Sequence, residues 1–251
     1  MPLNAPVMRR VALLAALVLP LEAVAQPATF TPEQRDAIGG VIREYLLKNP
    51  EVLQEAFTEL QQRQQEAEQA GRAEVLTSER AKLENSPRDF VIGNPQGDVT
   101  MVEFLDYNCG YCKRAVADVK ALIKADPKLR VVIKDFPVLG PGSVEASRVA
   151  LAAKSQLSGD KAYEFHTRLM ERRGQANGES AKAVAKEMGL DMARLEKDLQ
   201  NNEIDATLQE NMTLGERLGI NGTPGFVIGN EVIAGAVGAE PLRQVIANTR
   251  K

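Results

Sequence analysis

Two cysteines, Cys109 and Cys112, are the residues whose type and spacing most directly indicate chemistry. They stand in the run Cys109-Gly110-Tyr111-Cys112, between an apolar segment with strand character and a segment with helix character. Side chains three residues apart on a helix share a face, so small adjustments bring two sulfurs to disulfide distance. The helix N-terminus favours a thiolate at Cys109. This pattern predicts a pair that cycles between dithiol and disulfide, with Cys109 as nucleophile and Cys112 as resolving thiol.

A cysteine pair can have three other roles. A static disulfide would close a tiny loop and would constrain the unfolded chain very little. A zinc site needs four ligands, whereas the chain has no second cysteine pair and a single histidine, His166. Cu(I) suits soft thiolates, so a Cu(I)-binding module is an alternative from another functional class. No other metal site, no cofactor and no catalytic role for His166 are expected.

Glu103 is a carboxylate on a strand candidate, 99–105, that is apolar on both faces. Such a strand is expected in the centre of a sheet, covered on both sides. Burial would desolvate the Glu103 carboxylate and raise its pKa, which suits a proton acceptor for Cys112. Lys134, on the next strand candidate, is a candidate partner of Glu103.

The residues around the cysteine pair have more ordinary expected roles. Asn108 is the expected N-cap of the helix, and Asp106 is expected to be solvated. Tyr107 and Tyr111 are candidates for the rim on which a substrate chain lies, with a place in the core or on the plain surface as the alternative.

The elements that must position these residues indicate an α/β domain. Strand candidates cover 90–92, 99–105, 129–136, 226–228 and 232–234, and Gly229-Asn230 between the last two predicts a hairpin. Helix candidates cover 109–125, four or five segments between 143 and about 218, and the stretch after Pro241. The chain has no internal repeat and no phosphate-binding glycine motif.

Residues 1–25 have the layout of a secretory signal peptide. Arg9 and Arg10 precede an apolar run over 11–21, and Ala23-Val24-Ala25 provides a small-x-small cleavage pattern. The run of about 11 residues is shorter than the roughly 20 that a membrane span needs. An exported protein meets an oxidising compartment, where two cysteines can form a disulfide.

Residues 26–84 are predicted to form a helical arm. Thr31-Pro32-Glu33-Gln34 is a capping box, Asn49-Pro50 separates two helices, and the second helix is expected over 51–83. The apolar stripes of these helices must pack either on the main domain or on copies of themselves. We expect the second arrangement, a homo-oligomerisation arm.

The overall composition excludes several classes of protein. With 44% apolar and 26% charged residues, the 251-residue chain is an ordinary globular protein. Its net charge of −3 argues against a nucleic-acid partner. A single histidine excludes histidine-rich metal sites.

The segments FLDYNCGYC (104–112) and GTPGFVIG (222–229) resemble the DsbA family of thioredoxin-fold oxidoreductases. The resemblance covers about 86–251 and implies a thioredoxin-like fold with a large all-helical insertion at about 143–220. It also implies that Pro224 is a cis-proline facing the sulfurs and that Thr223 contacts the bound cysteine-containing peptide. Glu103 matches the buried acid of that family.

The arm, with YLLKNPEVL at 45–53, resembles the N-terminal domain of ScsC (suppressor of copper sensitivity) proteins. In that subgroup the domain can oligomerise the protein, which implies isomerase-like behaviour. The Gly110-Tyr111 dipeptide and Thr223 before the proline also resemble disulfide isomerases, whereas DsbA oxidases carry Pro-His and usually Val.

The sequence therefore predicts three regions: a signal peptide (1–25), a helical arm (26–84) and a DsbA-like domain (85–251). The expected function is periplasmic thiol:disulfide exchange with exported cysteine-containing proteins, isomerase- or reductase-like in direction. A membrane thiol/disulfide partner is expected to reset the cysteines. A DsbA-type dithiol oxidase and a Cu(I)-binding metal-tolerance protein are the alternatives.

Overall fold

A computed structural model describes residues 30–251 of the chain. The expected signal peptide, 1–25, lies outside the described residues. The chain divides into two compact units between Thr58 and Glu59. Within 30–251, no helix combines the length and the hydrophobicity that crossing a bilayer requires.

The first unit contains α1 (Pro32–Lys48) and the beginning of α2 (Glu51–Ser78). The predicted capping box is present, since Thr31 Oγ1 accepts from Gln34 N at 3.3 Å and Gln34 Oε1 accepts from Thr31 N at 2.9 Å. No residue of α1 is buried. The large apolar side chains exposed in this unit are Phe30, Ile38, Val41, Ile42, Tyr45, Leu47, Leu53 and Phe57.

The second unit is built on a five-stranded sheet. The strands are β1 (Phe90–Gly93), β2 (Val99–Leu105), β3 (Leu129–Asp135), β4 (Gly225–Ile228) and β5 (Glu231–Ala234), in the order β1-β3-β2-β4-β5. β2 and β3 are parallel, and the other pairs are antiparallel. The predicted central position of β2 and the predicted hairpin between the last two strands are confirmed.

Eight further helices surround this sheet. They are α3 (Arg80–Glu84), α4 (Gly110–Ala125), α5 (Pro141–Ala153), α6 (Gly159–Glu171), α7 (Gly178–Glu187), α8 (Met192–Asp198), α9 (Glu203–Arg217) and α10 (Ala239–Thr249). The run α5–α9 lies between β3 and β4, which confirms a thioredoxin-like fold with an all-helical insertion.

The helix predicted over 51–83 is interrupted at Glu79, between α2 and α3. Val75 and Leu76 on α2 and Leu83 on α3 all lie in one buried cluster under the sheet. Part of the range predicted as the arm therefore packs inside the second unit, because these apolar side chains have strand residues as partners.

Two apolar layers cover the sheet. The first includes Met101 and Leu105 of β2 and extends through α4, α10 and the inserted helices. The second includes Val102 and Phe104 of β2, with residues of α2, α3 and α9. Alternation along β2 thus assigns odd-numbered side chains to the α4 side, which fixes the direction of Glu103.

Candidate active site

Cys109 lies at the junction between β2 and α4. It is the N-cap of α4, and its Sγ accepts a hydrogen bond from Cys112 N at 3.4 Å. The prediction that Asn108 caps this helix is wrong, because the Asn108 carboxamide bonds to Ser143 and Ala176 instead. A sulfur at the first turn faces unpaired backbone N–H groups, an arrangement that stabilises negative charge.

The two thiols differ in exposure. Both are free cysteines; Cys109 is 6% exposed and Cys112 is fully buried. Burial raises the pKa of the Cys112 thiol, and the nearby charges of Cys109 and Glu103 raise it further. Cys112 therefore needs a proton acceptor before it can act as a nucleophile.

Thr223 and Pro224 lie beside Cys109, and their peptide bond is cis. Cys109 Sγ donates to the carbonyl oxygen of Thr223 at 3.2 Å. Strand pairing explains this proximity: Gly225 of β4 lies opposite Phe104 of β2, so the residues preceding β4 run alongside those following β2. The cis-proline that the family resemblance implies is thus present next to Cys109. The substrate-binding roles of Thr223 and Pro224 stay predictions.

Glu103 is buried on the α4 side of the sheet, at 2% exposure. Desolvation raises the pKa of its carboxyl group from 4.5 to about 8. Its charge acts on the Cys112 thiol. No hydrogen bond to the Glu103 side chain occurs among residues 30–251, so this carboxyl group is available to exchange a proton. Its catalytic role stays a prediction.

The candidate pairing of Lys134 with Glu103 is not formed. In the β2–β3 register Glu103 lies opposite Ile133, and Lys134 lies opposite Phe104. Because side chains alternate along a strand, Glu103 and Lys134 point to opposite faces of the sheet. Lys134 instead pairs with Asp89 at 2.5 Å and donates to the Lys82 carbonyl at 2.6 Å.

Asp106 is fully buried, so the expectation that it is solvated is wrong. Its carboxylate accepts three hydrogen bonds: from Asn108 N at 2.7 Å, from Ser143 Oγ at 2.7 Å and from Leu139 N at 2.9 Å. These donors replace the water that the charge would otherwise require. The sequence could not reveal the donors Leu139 and Ser143, because they are more than thirty positions away.

The two tyrosines near the cysteines have different environments. Tyr111 is 59% exposed, and the Arg114 guanidinium lies 4.3 Å from its ring centroid. Tyr107 is fully buried, so of its two candidate positions it takes the one in the core and not the one on the rim. Tyr111 remains the rim candidate, and Leu139, whose N–H bonds to Asp106, presents a second exposed apolar side chain.

A buried polar group behind the cysteines was missed by sequence reasoning. The rings of Tyr107 and His166 have centroids 5.9 Å apart, and Asp135 is also buried. Desolvation raises the pKa of Asp135 from 3.8 to about 8 and lowers that of His166 from 6.5 to about 4. The only sequence signal for Asp135 was its position directly after Lys134, near the end of the strand candidate 129–136. In the structure Asp135 pairs with Leu105 of β2.

Metal ligands are sparse around the cysteine pair. In the part of the chain that the structure describes, no three His, Cys, Asp or Glu side chains are grouped so as to hold a metal ion. A Cu(I) ion would therefore depend on the two thiolates.

The chain matches two family descriptions. Residues 85–248 match the family described as thioredoxin, and residues 34–67 match the copper resistance protein ScsC N-terminal domain.

Two solved structures with the same fold are covered almost completely by this chain. A thioredoxin-like oxidoreductase from Silicibacter pomeroyi is 43% identical, with a TM-score of 0.64 over 68% of this chain and 97% of that chain. A Proteus mirabilis ScsC linker-deletion mutant is 28% identical, with a TM-score of 0.66 over 89% of this chain and 98% of that chain.

Curated relatives are more distant. Disulfide bond formation protein D of Bacillus subtilis is 24% identical over 175 residues, which are 64% of this chain and 77% of that protein. The Na(+)/H(+) antiporter NhaA 1 of Salinispora arenicola is 24% identical over 163 residues, and the chain spans only 24% of its length. The match over 85–248 and the 43% identical structure together decide the family. The chain belongs to the thioredoxin family of thiol:disulfide oxidoreductases, in its DsbA-like branch, with an ScsC-type N-terminal domain.

Proposed function

We propose that this protein exchanges disulfides with cysteine-containing proteins through Cys109 and Cys112. The observation that carries the proposal is the position of Cys109 Sγ, 3.4 Å from Cys112 N and 3.2 Å from Thr223 O. The sulfur thus lies between a helix N-terminus that stabilises a thiolate and a backbone segment that can hold a substrate chain.

The reaction starts when the Cys109 thiolate attacks a substrate disulfide. One substrate sulfur forms a mixed disulfide with Cys109, and the other leaves as a thiolate. Cys112 then loses its proton and attacks Cys109 Sγ, which releases the second substrate thiolate and forms the 109–112 disulfide. The substrate gains two electrons and the protein loses two; the reverse sequence oxidises a substrate dithiol.

Glu103 is proposed to carry the proton of Cys112. The thiol is fully buried and its pKa is raised, so water is a poor acceptor for it. The Glu103 carboxyl group is buried on the same side of the sheet, with a pKa of about 8. A pKa near the working pH lets one group accept the proton in one direction and return it in the other.

Thr223, Pro224 and Tyr111 are proposed to contact the substrate. Thr223 is half-buried and its carbonyl already bonds to Cys109 Sγ, so a chain linked to that sulfur would run alongside this segment. Thr223 is half-buried and Pro224 is buried, so an extended peptide would add its main-chain hydrogen bonds at Thr223, the partly exposed residue of the two. The exposed Tyr111 ring, two residues after Cys109 in the chain, provides apolar area on the surface.

The favoured direction is isomerase- or reductase-like, with exported proteins as substrates. Three features support it: the ScsC-type domain at 34–67, the Gly110-Tyr111 dipeptide and Thr223 before Pro224. The apolar side chains exposed on α1 and early α2 favour a homo-oligomer, because an apolar stripe on a helix is normally covered. A signal peptide at 1–25 and a periplasmic location, with a membrane redox partner, complete this proposal.

Trapping of the mixed disulfide tests the nucleophile. A Cys112→Ser variant should accumulate mixed disulfides through Cys109 with a cysteine-containing peptide disulfide, because the resolving attack is removed. The matched Cys109→Ser variant should accumulate little, since Cys112 is buried. A folded Cys112→Ser protein without adducts would contradict the assignment. Refolding of a scrambled-disulfide protein, compared with oxidation of a reduced one, separates isomerase from oxidase.

A further inference from the structure

The turn that carries Cys109, residues 106–109, is tied to the helical insertion by side-chain hydrogen bonds. Asn108 is central to these ties. Its Nδ2 donates to Ala176 O at 2.8 Å and to Ser143 Oγ at 2.9 Å, and its Oδ1 accepts from Ala176 N at 2.7 Å. A single carboxamide therefore satisfies both backbone groups of Ala176, which lies between α6 and α7.

Asp106 holds the same turn from its other end. Its carboxylate accepts from Asn108 N and from Ser143 Oγ, and its backbone carbonyl accepts from Cys109 N at 3.0 Å. Ser143 belongs to α5, so the turn contacts the insertion at two separate points. Asp106, Ser143 and Ala176 are all buried, which protects these bonds from competition by water.

We propose that Asn108 is a positioning residue that uses Ala176 to hold Cys109 Sγ against the N–H of Cys112. The inference rests on the proposed role of Cys109 as the nucleophile. The helical insertion then has a function besides covering the sheet: it sets the geometry of the sulfur through one side chain.

The chemistry of the carboxamide explains why this position suits asparagine. One donor and one acceptor face the carbonyl and the N–H of a single residue, as in the pairing of two strands. Aspartate would place two acceptors there, one of them against the Ala176 carbonyl. Alanine would leave both buried backbone groups of Ala176 without a partner.

Loosening the turn should act on the reactivity of Cys109. The hydrogen bond from Cys112 N to Sγ is already long at 3.4 Å, so a small displacement of Cys109 would remove it. The thiolate would then lose a backbone donor and part of the field of the helix N-terminus. Reduced protein would alkylate more slowly, and its dithiol would become easier to oxidise.

Asn177 provides a matched control, because it is adjacent to Ala176 but serves a different element. Its Oδ1 accepts from Ser180 N at 2.9 Å and caps α7. An Asn177→Ala change therefore removes one asparagine bond from the same loop without touching the turn at 106–109.

The experiment compares reduced wild-type protein with Asn108→Ala, Asn108→Asp and Asn177→Ala. It measures the rate at which iodoacetamide alkylates Cys109 at one fixed pH near neutral. It also measures the oxidised fraction of the cysteine pair at a fixed glutathione ratio and the midpoint of unfolding in urea. Asn108→Ala should alkylate about fivefold more slowly, the factor that loss of one net hydrogen bond represents. Asn108→Asp should be slower still, since a carboxylate there opposes the thiolate. Both variants should be more oxidised than wild type at the same glutathione ratio.

Asn177→Ala should lower the unfolding midpoint and leave the alkylation rate within about twofold of wild type. Equal slowing in Asn108→Ala and Asn177→Ala would overturn the proposal, because it would show a general effect of loop order. An Asn108 variant that reacts as fast as wild type would also overturn it. A wild-type Cys109 that forms no adduct would instead contradict the proposed nucleophile, so the two failures are distinguishable.

Discussion

Cys109 Sγ donates a hydrogen bond to the carbonyl oxygen of Thr223 at 3.2 Å, although the two residues are 114 positions apart. The sheet order accounts for this contact, because β4 pairs directly with β2 and the whole helical insertion lies between them in the chain. In the proposed reaction, a substrate sulfur bound to Cys109 would meet a backbone segment that is held by the sheet and does not belong to the insertion.

Replacement of Glu103 by glutamine should slow the release of substrate from the mixed disulfide. Glutamine fills the same volume but cannot accept the Cys112 proton, so we expect a loss of about 10²-fold, the lower range for general base catalysis. Stopped-flow release of a labelled peptide from Cys109 measures it. The initial attack should be little changed, and an unaltered release rate would contradict the proton role.

The same substitution should stabilise the protein at alkaline pH. The pKa of Glu103 is raised from 4.5 to about 8 in the folded state, so the folded protein binds a proton that the unfolded chain releases within this window. The contribution of this group to the free energy of unfolding is fully present below about pH 4.5 and is lost as the pH rises through about 8. Urea unfolding at about pH 9 should show a gain on the order of 5 kcal/mol in Glu103→Gln. A wild-type-like pH profile in the variant would contradict this.

The buried pair of Lys134 and Asp89 should matter for stability and not for disulfide exchange. A Lys134→Met change leaves the Asp89 carboxylate buried without its partner, which costs about 3–5 kcal/mol. Desolvation, opposed by Lys134, already raises the pKa of Asp89 to about 6, so the loss should be smaller at about pH 5, where Asp89 is protonated. Denaturant titrations at both pH values measure this.

The double variant Asp89→Asn with Lys134→Met is the control for that pair. It removes both charges, so it should recover part of the lost stability. The reduction potential of the cysteine pair should stay at the wild-type value in both variants, because Lys134 points to the other face of the sheet. A shifted potential would show coupling through the sheet.

The sequence was sufficient to predict the elements that carry local signals. The Cys109–Cys112 spacing, the alternation along 99–105 and the Gly229-Asn230 turn each specify structure within a few residues, and the strand and helix assignments that rest on them are confirmed. The family resemblance supplied the cis bond before Pro224, which no local pattern indicates.

The errors concern contacts between distant segments. Whether Lys134 meets Glu103 depends on a one-residue register between β2 and β3, and a shift of one residue reverses the face of every side chain. Asp106 was assigned to solvent because its negative charge, if close to Cys109, would oppose a thiolate there. Its three donors include residues of α5 and of the loop before it, which local sequence cannot identify.

His166 should make the protein sensitive to acid. Burial lowers its pKa from 6.5 to about 4, so between these values the unfolded chain binds a proton that the folded protein does not. Stability should therefore fall as the pH decreases from about 6.5 towards 4, by about 3 kcal/mol at most. A His166→Gln variant should lose this dependence in urea titrations between about pH 4.5 and 6.5. If both proteins show the same slope, another group is responsible.

The exposed apolar face of α1 provides the last prediction. Val41 is 68% exposed and Tyr45 is 55% exposed, so charged residues at both positions would oppose burial between copies without disturbing a core. A double change to glutamate should reduce the mass in light scattering to that of one chain and lower the isomerase rate, while dithiol oxidation is kept. This design is safer than deleting residues 26–83, because Val75, Leu76 and Leu83 are buried under the sheet. A wild-type protein that already has the mass of one chain would contradict the prediction that the arm assembles copies of the protein. An assembly that survives the double change would contradict it as well.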